Sequence, residues 1–401
     1  MSSSPKLRVA IECRGLDPQQ GIGSAVFSLA DALSKSTASS QEYTFLVDDK
    51  IRAWLQPVVS GPCRLASFPS PRPSFLKRAL RRLGPLHAAL ARHRSRHRPL
   101  PSSDGYVESH GFDLVHFPMQ LAYLTPLPSI YQPWDLQHVH YPQFFNRTEL
   151  ADRDRRYRAF CAQARYICVQ TEWSKNDLIR SYGIAPAKIV VIKWGSTFES
   201  YRPPSPEASA RTIEKYALPP RFFFYPAVTW PHKNHEVIIQ ALQILKQDYG
   251  YKTPVYFSGK PTSHRKRLDA LARTLGVANQ IHFLGFVPPD DLQAIFAAAT
   301  AMVFPSKFEG FGLPVLEAFH ARVAVILSNA TVLPEVALDA ALYFDPDSPS
   351  ELAAHMASLL ANPEARLDLV EKGAAVLSRS SIKDTALNLQ SLYDQTAGVS
   401  V

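Results

Sequence analysis

Two doubly wound, Rossmann-like α/β domains are what this sequence predicts, on three observations. Short apolar runs alternate with helical patterns along most of the chain, which is the signature of a parallel sheet covered by helices. The alternation occurs twice, on either side of a polar, proline-containing stretch from Gly195 to about Pro220. A chain of 401 residues is also too long for one compact core.

Taken in order, Leu7–Ile11 reads as the first strand. A turn-rich loop follows with Gly21-Ile22-Gly23, then a helical apolar pattern through Val26, Leu29, Ala30 and Leu33. Strand, glycine loop, helix is how a doubly wound sheet begins, although Gly-x-Gly alone also fits a plain turn. Tyr43–Val47 reads as the second strand and Phe112–Phe117 as a later one. Ser129-Ile130-Tyr131 leads into Pro133–Pro142, where polar, aromatic and histidine residues gather at a strand end, the place where open α/β sheets bind ligands. A helix through Arg156, Phe160 and Ala164, the strand Tyr166–Val169 and the strand Ile189–Ile192 close this half. The second half opens with the strand Arg221–Tyr225. Helix Glu236–Gln247, strand Pro254–Phe257, helix Arg265–Leu275, strand Ile281–Phe283, helix Pro289–Ala298 and strand Ala301–Phe304 then alternate, followed by strands at Val323–Leu327 and Ala341–Phe344. From Ser350 onward the pattern is helical. The expected division is residues 1–195, a connection over 196–220, a second domain over 221–385, and a last helix over 386–401 returning to the first.

Bulk composition bounds the function. No run approaches eighteen consecutive apolar residues, so no membrane span is expected. The start MSSSPKLRVAIECRG lacks an apolar core before a cleavage site, so a cytoplasmic location is expected. Cys13, Cys63, Cys161 and Cys168 show no metal-ligand spacing and read as free thiols. The net charge of +9 is local: residues 50–103 hold 12 of the 44 Lys and Arg and no Asp or Glu, leaving 32 against 35 elsewhere. Within that segment, residues 72–98 place Leu76, Leu80 and Leu83 at helical spacing among Lys77, Arg78, Arg81 and Arg82. This fits a basic amphipathic helix lying on an anionic membrane, and it also fits a solvated loop. Nucleic acid is disfavoured, because regularly interleaved aromatics and a known binding module are missing.

The most informative run is FPSKFEGFGLPVLEAF. A buried strand ends in a loop carrying Glu309, then Gly310-Phe311-Gly312-Leu313, then a helix beginning at Pro314 whose first turn is expected to carry Glu317. Loop glycines let backbone approach a ligand, and helix-start amides suit a phosphate. Carboxylates accept hydrogen bonds from hydroxyls, so a sugar phosphate fits both halves of such a site.

Together these residues resemble the retaining, family-4 type of glycosyltransferase with the GT-B fold. Glu309-Gly-Phe-Gly-Leu-Pro-Val-Leu-Glu317 is similar to that family's E-x7-E motif. Trp230-Pro-His-Lys233-Asn-His235 resembles its lysine-bearing phosphate loop. Trp134-Asp135-Leu-Gln-His138 resembles its acceptor-domain HDL segment, and Gly21-Ile22-Gly23 its amino-terminal glycine loop. Two positions depart from the pattern: Val228 stands where the family often has an arginine, and Trp134 where it has the histidine.

The resemblance implies two domains facing across a cleft, an acceptor domain first and a donor domain second. It implies that Lys233 and the amides around Gly312 and Leu313 neutralise the leaving diphosphate, fixed donors of the kind that give the largest catalytic effect. Glu309 would contact sugar hydroxyls and Glu317 the ribose hydroxyls, with Gly310, Phe311, Gly21 and Gly23 shaping the donor site. The base would lie near Phe283–Val287, with Val287 contacting it. Attack from the face of the departing phosphate lets that phosphate accept the acceptor's proton, so no dedicated base is required; Asp135 and His138 are candidates for orienting the acceptor. His138 also fits a structural role. The donor is a nucleotide diphosphate sugar, with no other cofactor and no metal site expected, and the acceptor a glycan or glycolipid. A silent sugar-nucleotide-binding protein and an epimerase or phosphorylase relative stay open.

Overall fold

The structure is a computed structural model and describes residues 6–36, 40–68 and 99–398. It divides into two compact units, one reaching from the amino terminus to Lys193 and resuming at Thr385, the other Trp194–Asp384. The basic segment 72–98 lies outside the described residues.

The first unit is a seven-stranded parallel sheet. Its strands are β1 (Leu7–Glu12), β2 (Gln41–Asp48), β3 (Cys63–Phe68), β4 (Leu114–Phe117), β5 (Ser129–Tyr131), β6 (Tyr166–Val169) and β7 (Ile189–Val191), in the order β3-β2-β1-β4-β5-β6-β7. The second unit is a six-stranded parallel sheet of β8 (Phe223–Pro226), β9 (Val255–Ser258), β10 (Ile281–Gly285), β11 (Ala301–Phe304), β12 (Val325–Ser328) and β13 (Leu342–Phe344), in the order β10-β9-β8-β11-β12-β13. β4, β9, β11 and β12 are buried along their whole length. That is why these segments read as continuous apolar runs: helical crossovers cover both faces of a parallel sheet.

In each sheet the order reverses at one place, between β1 and β4 and between β8 and β11. The chain leaves these neighbours in opposite directions, so a crevice opens outside their carboxyl ends. In the second unit that crevice is bounded by the loop after β8, which carries Lys233, and the loop after β11, which carries Glu309.

Several elements differ from expectation. The stretch 196–220, expected as a connection, belongs to the second unit and contains the helix Pro206–Lys215. Thr212, Lys215 and Tyr216 all bond the Asp291 carboxylate of the helix Pro289–Ala298, which fastens that stretch to the unit. β3 was not expected. The helix Ile382–Ala397 packs its Thr385–Ala397 portion in the first unit, where Gln41 Nε2 donates to Asp394 Oδ1 (2.6 Å), Gln390 Nε2 donates to the Tyr43 hydroxyl (2.9 Å), and buried His116 Nδ1 meets the Tyr393 hydroxyl (2.9 Å). All four cysteines are free and buried. Among the described residues no helix is long and apolar enough to cross a membrane.

Candidate functional site

Lys233 and Glu309, 76 positions apart in sequence, form an ion pair: Lys233 Nζ donates to Glu309 Oε1 at 2.5 Å. The two loops that carry them are stitched together through their backbones. The Lys307 amide donates to the His232 carbonyl (2.8 Å). The Tyr225 hydroxyl, at the end of β8, donates to the Lys233 carbonyl (2.8 Å) and lies 3.0 Å from Ser306 Oγ. Asn234 adopts the left-handed conformation, φ 55°, which ends the turn Pro231–Lys233 and starts the helix His235–Asp248. Asparagine tolerates that region better than most residues. Its side-chain amide ties the junction to the Pro305 and Pro346 carbonyls (3.2 and 2.7 Å).

Burial, and next the Lys233 charge, push His232 down to about 3. Burial likewise pushes His235 down to about 3. Both flanking histidines are therefore neutral at pH 7, and Lys233 is the charge of this loop. Gly259, just past β9, supports the loop from beneath. Its φ is +112°, and a Cβ there would lie 2.8 Å from the Ala227 carbonyl carbon and the Val228 nitrogen. Thr262 adds a second tie, its hydroxyl donating to the Thr229 carbonyl (2.6 Å).

The Glu309 backbone is held by Thr331, whose hydroxyl accepts from the Glu309 amide (3.2 Å) and donates to its carbonyl (3.3 Å). Phe311, Gly312 and Leu313 are buried, while Gly310 is half-buried. Gly312 caps the helix Leu313–His320 with φ +91°, a value that glycine adopts without penalty. Pro314 has no N–H and the Val315 amide donates to the Gly312 carbonyl (2.9 Å), so the positive end of the helix dipole lies at Gly312 and Leu313.

Glu317 sits in the second turn of that helix, where a first-turn position was expected. It is buried, with the Thr197 hydroxyl donating to its Oε1 at 2.6 Å. Burial pushes its carboxyl up to about 7, partly offset by the Thr197 hydrogen bond. Glu317 is therefore a buried carboxyl and not a surface acid stabilised by the helix dipole. Val287 is buried, its neighbour Phe286 is exposed, and the Arg265 guanidinium lies over the Phe283 ring at 3.4 Å from its centroid.

In the first unit the expected residues behave differently. Gly21 and Gly23 form the first turn of the helix Gly21–Ser34 and are not a loop before it. A Cβ on Gly23 would lie 2.5 Å from the Asp17 carbonyl oxygen, so internal packing alone accounts for that glycine. Trp134 is buried in a left-handed conformation, φ 67°, with its indole N–H donating to the Pro118 carbonyl (2.8 Å). The next residue, Asp135, is half-buried in a hollow it shares with Trp173 and Asp177 and accepts from the Gln137 amide (3.0 Å). His138 is not presented to an acceptor. It is buried, bonded to the Tyr182 hydroxyl (2.8 Å), packed on Tyr157, and pushed down to about 4 by burial. A polar cluster that sequence reasoning missed lies at the end of β1, where Arg14 is clamped between Glu12 (2.7 Å) and Asp104 (2.8 Å). Thr197, Thr331 and Gly259 were missed as well, since each acts through a partner distant in sequence. Asp152 and Asp154 bond Arg156 and Arg158, and Asp347 bonds Lys307.

Comparison with known proteins places this geometry in context. Residues 207–376 match the family profile described as glycosyl transferases group 1. The chain is 33% identical over 213 residues to the O-antigen chain mannosyltransferase B of Escherichia coli, covering 53% of this chain and 56% of that protein. It is 29% identical over 236 residues to the D-inositol 3-phosphate glycosyltransferase of Corynebacterium glutamicum (strain R), covering 57% and 56%. The chain thus spans just over half the length of these curated relatives. Similar solved structures include Anabaena Alr3699/HepE in complex with UDP and glucose (TM-score 0.71, 16% identity, 97% of this chain and 100% of that one). Another is WaaG, a glycosyltransferase involved in lipopolysaccharide biosynthesis (TM-score 0.67, 16% identity, 96% and 99%). Residues 207–376, within a GT-B fold of two Rossmann-like units, thus form a domain that matches the glycosyl transferases group 1 family.

Proposed function

We propose that this protein is a retaining glycosyltransferase that moves a mannose-like hexose from a nucleotide diphosphate sugar to a glycan or lipid-linked glycan in cell-surface polysaccharide synthesis. The observation that carries the reading is the Lys233–Glu309 pair at the switch point of the second sheet, beside the start of the helix Leu313–His320. The O-antigen chain mannosyltransferase relative supports the choice of sugar and of a polysaccharide acceptor.

In this reading the donor's diphosphate lies against Lys233 and the opening amides of the Leu313–His320 helix. Both are fixed before the reaction, so neither must reorganise as charge grows on the leaving group. Glu309 receives hydrogen bonds from the sugar hydroxyls, and the second oxygen of Glu317 receives one from the ribose. Holding the reactants in line is worth several kcal/mol, roughly 7–11 in the best model reactions. The acceptor oxygen then forms its bond to the anomeric carbon on the face from which the phosphate leaves. The sugar–phosphate bond breaks, and the acceptor's proton passes to the departing phosphate oxygen. Asp135, in the first unit, orients the acceptor; His138 is left out because it is turned into the core. No metal is assigned a step, since Lys233 and the helix amides carry the neutralisation.

The test is sugar transfer by the purified protein, with nucleotide sugars screened by thermal shift, since a ligand that binds only the folded form raises its stability. Lys233→Ala and Glu309→Ala are expected to abolish transfer. Nucleotide-sugar binding with no turnover across a broad acceptor panel would instead mark a silent binding protein.

A further inference from the structure

The proposed function has Lys233 holding phosphate and Glu309 holding sugar hydroxyls. Without ligand these two groups hold each other, Nζ to Oε1 at 2.5 Å, with side chains only 20% and 11% exposed. Neither can retreat far. Thr331 bonds both backbone polar groups of Glu309, and the Tyr225 hydroxyl bonds the Lys233 carbonyl. A diphosphate that reaches Lys233 therefore competes with a carboxylate already satisfying that ammonium, and it then sits within a few ångströms of a like charge.

The sugar changes this balance. While it is attached, its hydroxyls donate to Glu309 and compensate the carboxylate for sharing Lys233. Once the sugar has been transferred, that compensation is gone, and the diphosphate carries more negative charge than it did in the donor. The carboxylate then recovers Lys233 at the expense of the phosphate. We propose that Glu309 is a discriminating residue that weakens the hold on the nucleoside diphosphate product relative to the sugar-bearing donor, and so favours product release. This inference rests on the functional reading above and adds to it a second task for the same side chain.

Isothermal calorimetry on the native protein and on Glu309→Gln tests it, with GDP, UDP, GDP-mannose and UDP-glucose as ligands. Glutamine keeps the size and one carbonyl oxygen but removes the charge. The variant is expected to bind the preferred nucleoside diphosphate about tenfold more tightly, the scale of one partly screened charge removed. The matching nucleotide sugar should gain less or weaken, so the preference for donor over product collapses. The difference between native protein and variant should shrink with added salt. Lys233→Gln should weaken both ligands, and a native-like melting curve establishes that each variant is folded. Equal or weaker nucleoside diphosphate binding by folded Glu309→Gln overturns the inference while leaving the glycosyltransferase reading intact. Failure of the native protein to bind any of the four ligands overturns both.

Discussion

Gly259→Ala perturbs the site from below without touching any group that would meet a ligand. Two costs add at this position. The backbone has φ +112°, where a side chain is strained by about 1–3 kcal/mol. The new Cβ would also lie 2.8 Å from the Ala227 carbonyl carbon and the Val228 nitrogen, and crowding of this kind costs roughly 1–3 kcal/mol more. The obstacle is backbone, which cannot swing aside as a flexible side chain can. Gly276 provides the control, with φ +64° and nothing within 4 Å of an added Cβ, so Gly276→Ala carries only the conformational cost. Both positions belong to the second unit, so the same unfolding transition reports on both. Urea unfolding followed by tryptophan fluorescence should show Gly259→Ala losing roughly 2–6 kcal/mol and Gly276→Ala about 1–3. Because Ala227 and Val228 begin the loop carrying Lys233, Gly259→Ala should also weaken nucleotide binding, and Gly276→Ala should not. Equal losses in the two variants would refute the close-approach argument.

Thr197→Val removes the hydroxyl that donates to buried Glu317 and should cost about 1–3 kcal/mol of stability. It should also drive the Glu317 carboxyl above its present value of about 7. Because the folded carboxyl holds its proton more tightly than the unfolded one, it lowers stability as pH rises from about 4.5 to 7; Glu317→Gln should flatten that slope in pH-dependent melting. His116 acts in a lower window and with the opposite slope. Burial pushes it down to about 4, so the unfolded state takes up a proton below pH 6.5 that the folded state refuses, and stability falls as pH drops from 6.5 to 4. Replacing it by Asn should make that loss shallower by roughly 3 kcal/mol, as read from denaturant midpoints across that range. Residues 72–98 are proposed to bind anionic membrane. Flotation with phosphatidylserine vesicles should recover the native protein, and replacing Arg78, Arg81 and Arg82 with Gln should abolish recovery; unchanged flotation would exclude the segment.

The sequence was most legible where burial acts on a whole segment. β5, β6, β11 and the helix Pro289–Ala298 lie where their apolar patterns put them, because a strand covered on both faces, or a helix with one covered face, must write that burial into its residues. β3 was missed because only its first residue is buried and its alternation is broken. The helix Pro206–Lys215 was missed because proline and serine suggested a connection. At that place they are start signals: Ser205 accepts from the Ala208 amide, and Pro206 occupies the first turn.

By itself the sequence determined the twofold α/β alternation, the glycine loop between two acids and the lysine loop, since all of these are local in the chain or repeat with a regular period. Only the tertiary structure decided that Lys233 bonds Glu309, that Glu317 is buried against Thr197, that His138 faces Tyr182, and that Gly23 and Gly259 are needed for close packing. The reason is physical. A side chain's burial and its hydrogen-bond partner depend on residues brought together by strand order and crossover, 76 positions away for Lys233 and 120 for Glu317, and no spacing rule reaches across such separations.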